Sequence, residues 1–391
     1  MIRLLINALA ASAGGGITYV RNFIPQLQAH ENVKATVLVN RTLRENLPSG
    51  TNINFVEQDA PAGVVARFWY EQRTVPALIR ETAANVLLST GNFAIWNSPV
   101  PQILLSRNAL YTSERFLQDL KSRGEYKLWI DTEVRRQLAK WSVRRASATV
   151  APSESFAAEL SAWTGQDVIA THHGFDRDSF TGDSSALKQD VQQTLRSAES
   201  ALKLLFVSHY NYYRNFETLF RSLPILKRSL PDRDIRLFLT CKLSRGGRDG
   251  AYRTDSAAAL IRDLQLDEDI VQFGPVPYQH LHHLYSAVDV YVTAAYAETF
   301  AHPLVEAMSS GIPIVAADLP VHREICRDAA IYFPPFSPDR LAMRIVELAK
   351  SQTTVEQLRE SGLARSKDFS WKIHVERILE LAGSLIQGHS T

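Results

Sequence analysis

Two cysteines in 391 residues, Cys241 and Cys326, are too few and too far apart for a disulfide framework or a zinc knuckle. No uninterrupted apolar run of about 18 residues occurs, so no segment reads as a bilayer-spanning helix. Charge of one sign is lacking too. Lys and Arg number 43 against 41 Asp and Glu, a formal net charge of +2, which excludes the global field of a dedicated nucleic-acid binder. What is present is a globular composition, 45% hydrophobic and 21% charged, at a length that favours two domains of ordinary size. The amino-terminal MIRLLINALAASAGGG carries one Arg and a short apolar run. That makes a poor secretion signal and a better buried strand followed by a glycine turn, so a cytoplasmic protein is expected.

Short apolar runs alternate with longer segments of helical period. Strands are expected at residues 2–7, 33–39, 53–56, 85–89, 102–106 and 148–151. The pattern restarts after a polar stretch, residues 171–201, with strands at 202–208, 235–240, 270–273, 288–293, 312–316 and 330–333, and a last helix at 371–386. Strand–helix alternation of this kind reads as α/β, with parallel sheets covered by helices on both faces. Two similar halves are therefore expected, joined near residue 172, with a ligand beyond the carboxyl ends of the strands.

Two motifs fit ligand chemistry. Gly14, Gly15 and Gly16 follow the first strand and open a helix, where backbone comes close to a ligand and helix N–H groups favour a phosphate. The dinucleotide pattern fails at Tyr19, and the second strand ends at Asn40 without the acid that holds an NAD ribose, so a plain tight turn stays open as the alternative. In Ala297–Met308 two glutamates stand eight apart: Glu298 in a loop, and Glu306 inside a helix that Pro303 opens. Leu304, Ala307 and Met308 keep a helical apolar period, which sets Glu306 beside a buried stripe. Such a carboxylate accepts hydrogen bonds from vicinal hydroxyls, while N–H groups of Phe300 to His302 suit an anion. A solvated Glu306, with Glu298 merely offsetting the helix dipole, is the alternative.

The segment resembles the E-x7-E motif of retaining GT-B glycosyltransferases of family four, the glycosyl transferases group 1. The resemblance is specific over residues 202–333, including Leu284–Val290 before the motif and Ser309–Ala316 after it. It implies a GT-B fold, two Rossmann-like doubly wound domains facing each other across a cleft. Residues 1–172 would form an acceptor-side domain and 173–370 a nucleotide-sugar donor domain. Residues 371–391 would be a helix packing back on the first. The resemblance further implies that Glu298 contacts the donor sugar, with the backbone of Thr299, Phe300 and Ala301 reaching its hydroxyls and diphosphate. Glu306 would hold the donor ribose. Gly15 and Gly16 would face the diphosphate, Gly274 and Pro275 would cradle the nucleobase, and His173–Asp176 would form the linker. Where the family has an Arg followed five residues later by a Lys, this chain has His209 and Arg214. An arginine replaces the lysine well on phosphate, whereas a histidine carries only part of a positive charge near neutral pH. The histidine that many members use after an N-domain strand is missing. Arg107 and Asn108 occupy that region as acceptor-side candidates, and neither is a general base.

The implied activity is retaining transfer of a hexose from a UDP- or GDP-type nucleotide sugar to a glycan or lipid-linked glycan. Substitution would occur at the front face, the leaving diphosphate taking the acceptor's proton, without metal or other cofactor. A GT-B nucleotide-sugar 2-epimerase and a catalytically silent nucleotide-sugar-binding subunit are the alternatives. Elsewhere, His280, His282 and His283 lack a Cys or acid to complete a zinc set, and His322 and Arg323, past the strand at 312–316, are expected at the surface, with lining of the cleft as the alternative. Residues 242–254 are long and basic for a strand–helix turn. Residues 115–145 hold nine basic and four acidic side chains, a local +5, with Phe116, Tyr126, Trp129 and Trp141 interspersed. This mixture suits peripheral contact with an anionic membrane or a lipid diphosphate, or else a solvated helix with its aromatics turned inward.

Overall fold

The computed structural model describes residues 1–11, 15–45, 47–183 and 185–389. The chain divides into two compact units, Met1–Gly174 with Ser370–Thr391, and Phe175–Phe369. The first holds a seven-stranded parallel sheet. Its strands are β1 (Ile2–Asn7), β2 (Val33–Val39), β3 (Ile53–Glu57), β4 (Val86–Ser89), β5 (Gln102–Leu105), β6 (Ala148–Ala151) and β7 (Val168–Ala170), in the order β3-β2-β1-β4-β5-β6-β7. β1 shows why its residues form a central strand. Leu4 and Ile6 enter one apolar core and Leu5 the other, the period-2 alternation of a strand buried on both faces. The first core is closed by helix Gly15–Leu27, through Tyr19, Phe23 and Leu27, and by helix Trp371–His389, through Val375, Ile378 and Leu379. Helix Val64–Glu81 closes the second through Val75, Leu78 and Ile79.

The second unit repeats this plan with a six-stranded parallel sheet. Its strands are β8 (Leu202–Phe206), β9 (Ile235–Leu239), β12 (Ile270–Gln272), β13 (Val290–Thr293), β14 (Ile314–Ala317) and β15 (Ile331–Phe333), in the order β12-β9-β8-β13-β14-β15. Between β9 and β12 lies a small antiparallel pair, β10 (Arg248–Asp249) and β11 (Tyr252–Arg253). Among the described residues, no helix is long and apolar enough to cross a membrane.

All twelve strands expected from sequence are present with ends shifted by no more than two residues. Three expectations change. β7 escapes the apolar-run criterion because it is a three-residue edge strand with Ile169 exposed. The polar stretch 171–201 is not a plain linker. It contains helices Arg177–Thr181 and Gln189–Ser197, which bury Phe180, Val191 and Leu195 in the second unit's core, and Leu187, Val191 and Leu195 already stand at helical spacing. The long basic segment 242–254 is the β10–β11 hairpin rather than an open loop.

The chain passes out of the first unit at Gly174 and returns at Ser370. Around that exit His173 stacks on Trp371 with ring centroids 5.6 Å apart, and His374 Nε2 lies 3.0 Å from the Tyr19 hydroxyl. A Cβ on Gly174 would stand 2.0 Å from the Trp371 backbone nitrogen. The Gly174→Ala variant is therefore expected to lose about 3 kcal/mol or more, backbone having nowhere to yield. In thermal unfolding this is a Tm lower by roughly 6–12 °C, and an unchanged Tm would refute the packing described here.

Candidate functional site

In both sheets the strand order reverses between the first strand and the fourth, β1 and β4 in one unit and β8 and β13 in the other. Segments beyond the carboxyl ends of such strands diverge to opposite faces and leave room for a ligand. In the second unit those segments are 207–215 and 294–301.

Arg214 is placed by a short 3-10 turn, Tyr212–Arg214, whose N-cap Asn211 accepts from the Arg214 N–H at 3.2 Å. Asn215 then turns left-handed (φ 54°), and its Nδ2 donates to the Ala294 carbonyl at 3.1 Å. The Tyr296 N–H donates to the Tyr213 carbonyl at 2.9 Å, so the loops after β8 and β13 are latched twice. Across the latch Arg214 Nη1 pairs with Glu298 Oε2, while Glu298 Oε1 accepts from the Thr299 N–H at 3.1 Å. Burial alone would raise the Glu298 carboxyl. Arg214 and the Thr299 N–H outweigh it and hold that carboxyl below its usual range. Burial alone would likewise lower Arg214, and Glu298 reverses it, so both groups stay charged.

Helix His302–Ser309 begins after Ala301, a non-glycine residue held at φ 63°, which costs about 1–2 kcal/mol. Phe300 beside it is buried against Phe369, ring centroids 5.4 Å apart. Two turns after Glu298, Glu306 is 4% exposed, which excludes the solvated reading of this acid. Its Oε2 accepts from the Tyr285 hydroxyl at 2.8 Å, and burial pushes its carboxyl up to about 7.

His322 departs from expectation. It is fully buried rather than superficial, whereas Arg323 is exposed and paired with Asp318. His322 sits in helix Pro320–Cys326 just past β14, the strand beside β13, and Nδ1 lies 2.7 Å from the Ala317 carbonyl. A carbonyl only accepts, so Nδ1 carries the proton and Nε2 the lone pair. Nε2 is buried without a hydrogen-bond partner, as is Arg214 Nε. Burial lowers the imidazole's pKa, and both Glu298 and Arg214 act on it electrostatically. The sequence signal was Pro320 opening a helix directly after a strand, which turns a residue two places on toward the strand ends.

The other candidates are less gathered. His209 is 70% exposed and looks toward Asp249, 3.9 Å away, not into the Arg214–Glu298 pair. Gly274 follows β12 at φ 82°, a conformation that requires glycine, and Pro275 beside it is exposed. His280 and His283 are tied to Ser185, at 2.9 Å each. Among the described residues no group of three or more potential metal ligands forms.

In the first unit Gly14 lies outside the described residues. Gly15 and Gly16 open helix Gly15–Leu27, and a Cβ on Gly16 would meet the Ala11 Cα at 3.2 Å. Arg107 donates to the Gly15 carbonyl at 2.8 Å and to the Thr90 carbonyl at 2.9 Å, and its guanidinium lies over the Tyr19 ring. It thus braces the glycine turn. Asn108 caps a 3-10 turn, accepting from the Leu110 N–H at 3.1 Å.

Two doubly wound parallel sheets of this order, with the charged loops at the reversal of the second, define the GT-B fold. Residues 188–365 match the family described as "Glycosyl transferases group 1". The chain is similar to the O-antigen chain mannosyltransferase B of Escherichia coli, 32% identical over 99 residues, 25% of this chain and 26% of that protein. Its fold is similar to that of a sucrose-phosphate synthase from Thermosynechococcus elongatus, with TM-score 0.79, 16% identity, and 99% and 100% of the two chains covered. It is also similar to that of Anabaena HepE solved with UDP and glucose, with TM-score 0.71, 16% identity, and 98% and 100% covered. The chain spans about a quarter to a half of the lengths of the curated relatives it matches first.

Two outcomes follow from this electrostatics. Arg214→Met strands a buried carboxylate and should cost about 3–5 kcal/mol in urea unfolding, most of it recovered by adding Glu298→Gln. If the double variant is no more stable than the single one, the pair is not coupled. Glu306 has a folded-state pKa above its unfolded value. Its contribution is therefore fully favourable below about pH 4.5 and is lost as pH rises through about 7. Relative to wild type, Glu306→Gln should gain about 2 kcal/mol of stability between pH 5.5 and pH 8.5.

Proposed function

We propose that the protein is a retaining glycosyltransferase moving a hexose from a UDP- or GDP-type nucleotide sugar to a glycan or lipid-linked glycan acceptor. The observation that carries this reading is the buried Arg214–Glu298 pair latched across the sheet's reversal, with the Glu306 carboxylate one helix further on. Arg214 stabilises charge on the departing diphosphate, helped by His209, and Glu298 orients the sugar. The backbone of Thr299, Phe300 and Ala301 reaches the sugar hydroxyls and the diphosphate. Glu306 accepts hydrogen bonds from the ribose hydroxyls. Its ionisation near pH 7 implies tighter nucleotide binding above neutrality than below it. Gly274 and Pro275 cradle the base.

In the first unit Gly15 and Gly16 are donor-binding candidates, and Arg107 holds their turn. Asn108 stays an acceptor-side candidate. Neither residue is a base, so the acceptor's proton passes to the leaving diphosphate in a front-face substitution. That HepE was solved with UDP and glucose supports the donor class, and the mannosyltransferase relative supports the glycan acceptor. The reading assigns the first unit to the acceptor and the second to the donor, in a cytoplasmic enzyme peripheral to the membrane and independent of metal.

The test is to incubate the purified protein with UDP- and GDP-sugars and follow nucleoside diphosphate release with and without EDTA. Release unaffected by chelator is expected, with turnover about 100-fold lower in Arg214→Ala and nucleotide affinity about tenfold lower in Glu306→Gln. Release that requires a divalent ion would overturn the metal-independent mechanism. Binding without release would assign a silent nucleotide-sugar-binding subunit instead.

A further inference from the structure

Among the described residues of the second unit, Phe336 and Met343 are the large apolar side chains left exposed. Phe336 is 42% exposed and stands in the turn that leaves the carboxyl end of β15. Its backbone is left-handed, at φ 61°, where glycine fits without strain and a bulky aromatic is an outlier. The sequence around it, Pro334-Pro335-Phe336-Ser337-Pro338, explains why the strain persists. Pro335 fixes the φ before it. Pro338 opens helix Pro338–Ala349 and keeps Ser337 out of the helical region, at φ −113° and ψ 87°. The chain therefore holds an aromatic ring in water at a backbone cost, and strain of this kind gathers at ligand sites.

The ring is braced on the site already described. Its centroid lies 5.2 Å from that of Tyr296, the planes inclined at 32°. Tyr296 belongs to the loop after β13, two residues before Glu298, and its N–H is one of the two latches to the Arg214 loop. Between these loops, the turn after β14 is tied to the end of β15, the Asp318 N–H donating to the Phe333 carbonyl at 2.8 Å. That turn presents Asp318 and Arg323 as a partly exposed ion pair. An aromatic face with a solvated carboxylate and guanidinium on the neighbouring loop suits a sugar. The electron-rich ring face attracts the polarised C–H groups of a pyranose, and the ion pair meets its hydroxyls.

The order of the strands says which sugar. Across the sheet it runs β12-β9-β8-β13-β14-β15. In the reading above, the base lies after β12, the diphosphate at Arg214 after β8, and the donor hexose at Glu298 after β13. β15 is two strands further on, roughly 10 Å, past the hexose and on the side away from the nucleotide. We propose that Phe336, backed by Tyr296, is a stacking platform for a pyranose ring of the acceptor, a specificity-determining contact supplied by the second unit. The proposal rests on that reading for the sequence base, diphosphate, hexose, and goes beyond it, since there the first unit alone meets the acceptor. A platform for the nucleobase would stand at the β12 end. An acyl chain or a protein partner needs a continuous apolar patch, whereas this ring rises among prolines and an ion pair.

The test is saturation-transfer difference NMR on the full chain with UDP or GDP present, the probes being the methyl α-pyranosides of mannose, glucose and galactose. Transfer to the C–H protons of one ring face is expected for at least one of them. Phe336→Gly removes the ring yet suits the positive φ, so the turn is kept, and it should weaken that pyranoside's Kd about fivefold. Phe336→Tyr should retain the binding. Calorimetric Kd values for UDP and GDP should be the same in wild type and both variants, and the Tm of each reports that it is folded. A wild type that binds nucleotide but no pyranoside would overturn the proposal. So would pyranoside binding that folded Phe336→Gly retains in full, or a nucleotide Kd that rises with loss of the ring, which would give the platform to the donor. A wild type that binds neither UDP nor GDP would overturn the donor reading itself, and the proposal with it.

Discussion

A guanidinium and a carboxylate removed from water together are tolerable, and either one alone is not. That constraint governs the second unit. Arg214 arrives from the loop after β8 and Glu298 from the loop after β13, and these strands are neighbours because the sheet order reverses there. The Asn215 and Tyr296 latches hold the backbones so that the charges meet without either long side chain having to search. The charged pair, the left-handed Ala301 and the buried Glu306 are local costs gathered in one place. The apolar core formed by Phe300, Leu304, Val305 and Met308 offsets them.

The two carboxylates of the E-x7-E motif consequently live in opposite environments. Glu298 has a cation and a backbone N–H and stays ionised. Glu306 has only a tyrosine hydroxyl, and burial pushes it up to about 7. Environments that separate two carboxyls in this way suit distinct tasks, one group held as a fixed charge and the other free to exchange its tyrosine for ligand hydroxyls. His322 adds a third, neutral group whose lone pair is buried without a partner. In the first unit, an arginine in the region where the family often has histidine is spent on backbone carbonyls. There it braces the turn at Gly15.

Much of the fold was legible in the chain because strands buried on both faces must be continuous apolar runs, and these fell within two residues of their expected ends. The misses share a cause. β7 is an exposed edge, and helix Gln189–Ser197 has only three or four apolar residues in a polar segment, so burial there is supplied by neighbours rather than announced locally. The carboxylate motif was likewise visible, but the burial of His322 was not. A lone histidine near a charged neighbour reads as surface until the β13–β14 pairing turns it inward.

The apolar runs, the glycine turn, the eight-residue spacing of the glutamates and the +5 segment belong to the sequence alone, because periodicity and composition are local properties. They determined a two-unit α/β chain with a charged carboxylate loop. Tertiary structure decided the rest. It paired Arg214 and not His209 with Glu298, sealed Glu306 and His322 from water, and committed Arg107 to the backbone. It also set Phe336 against Tyr296, from two separate loops. The physical reason is common to all four. Each depends on which strand or helix stands beside which, and burial and electrostatics are set by neighbours that only the folded chain assembles.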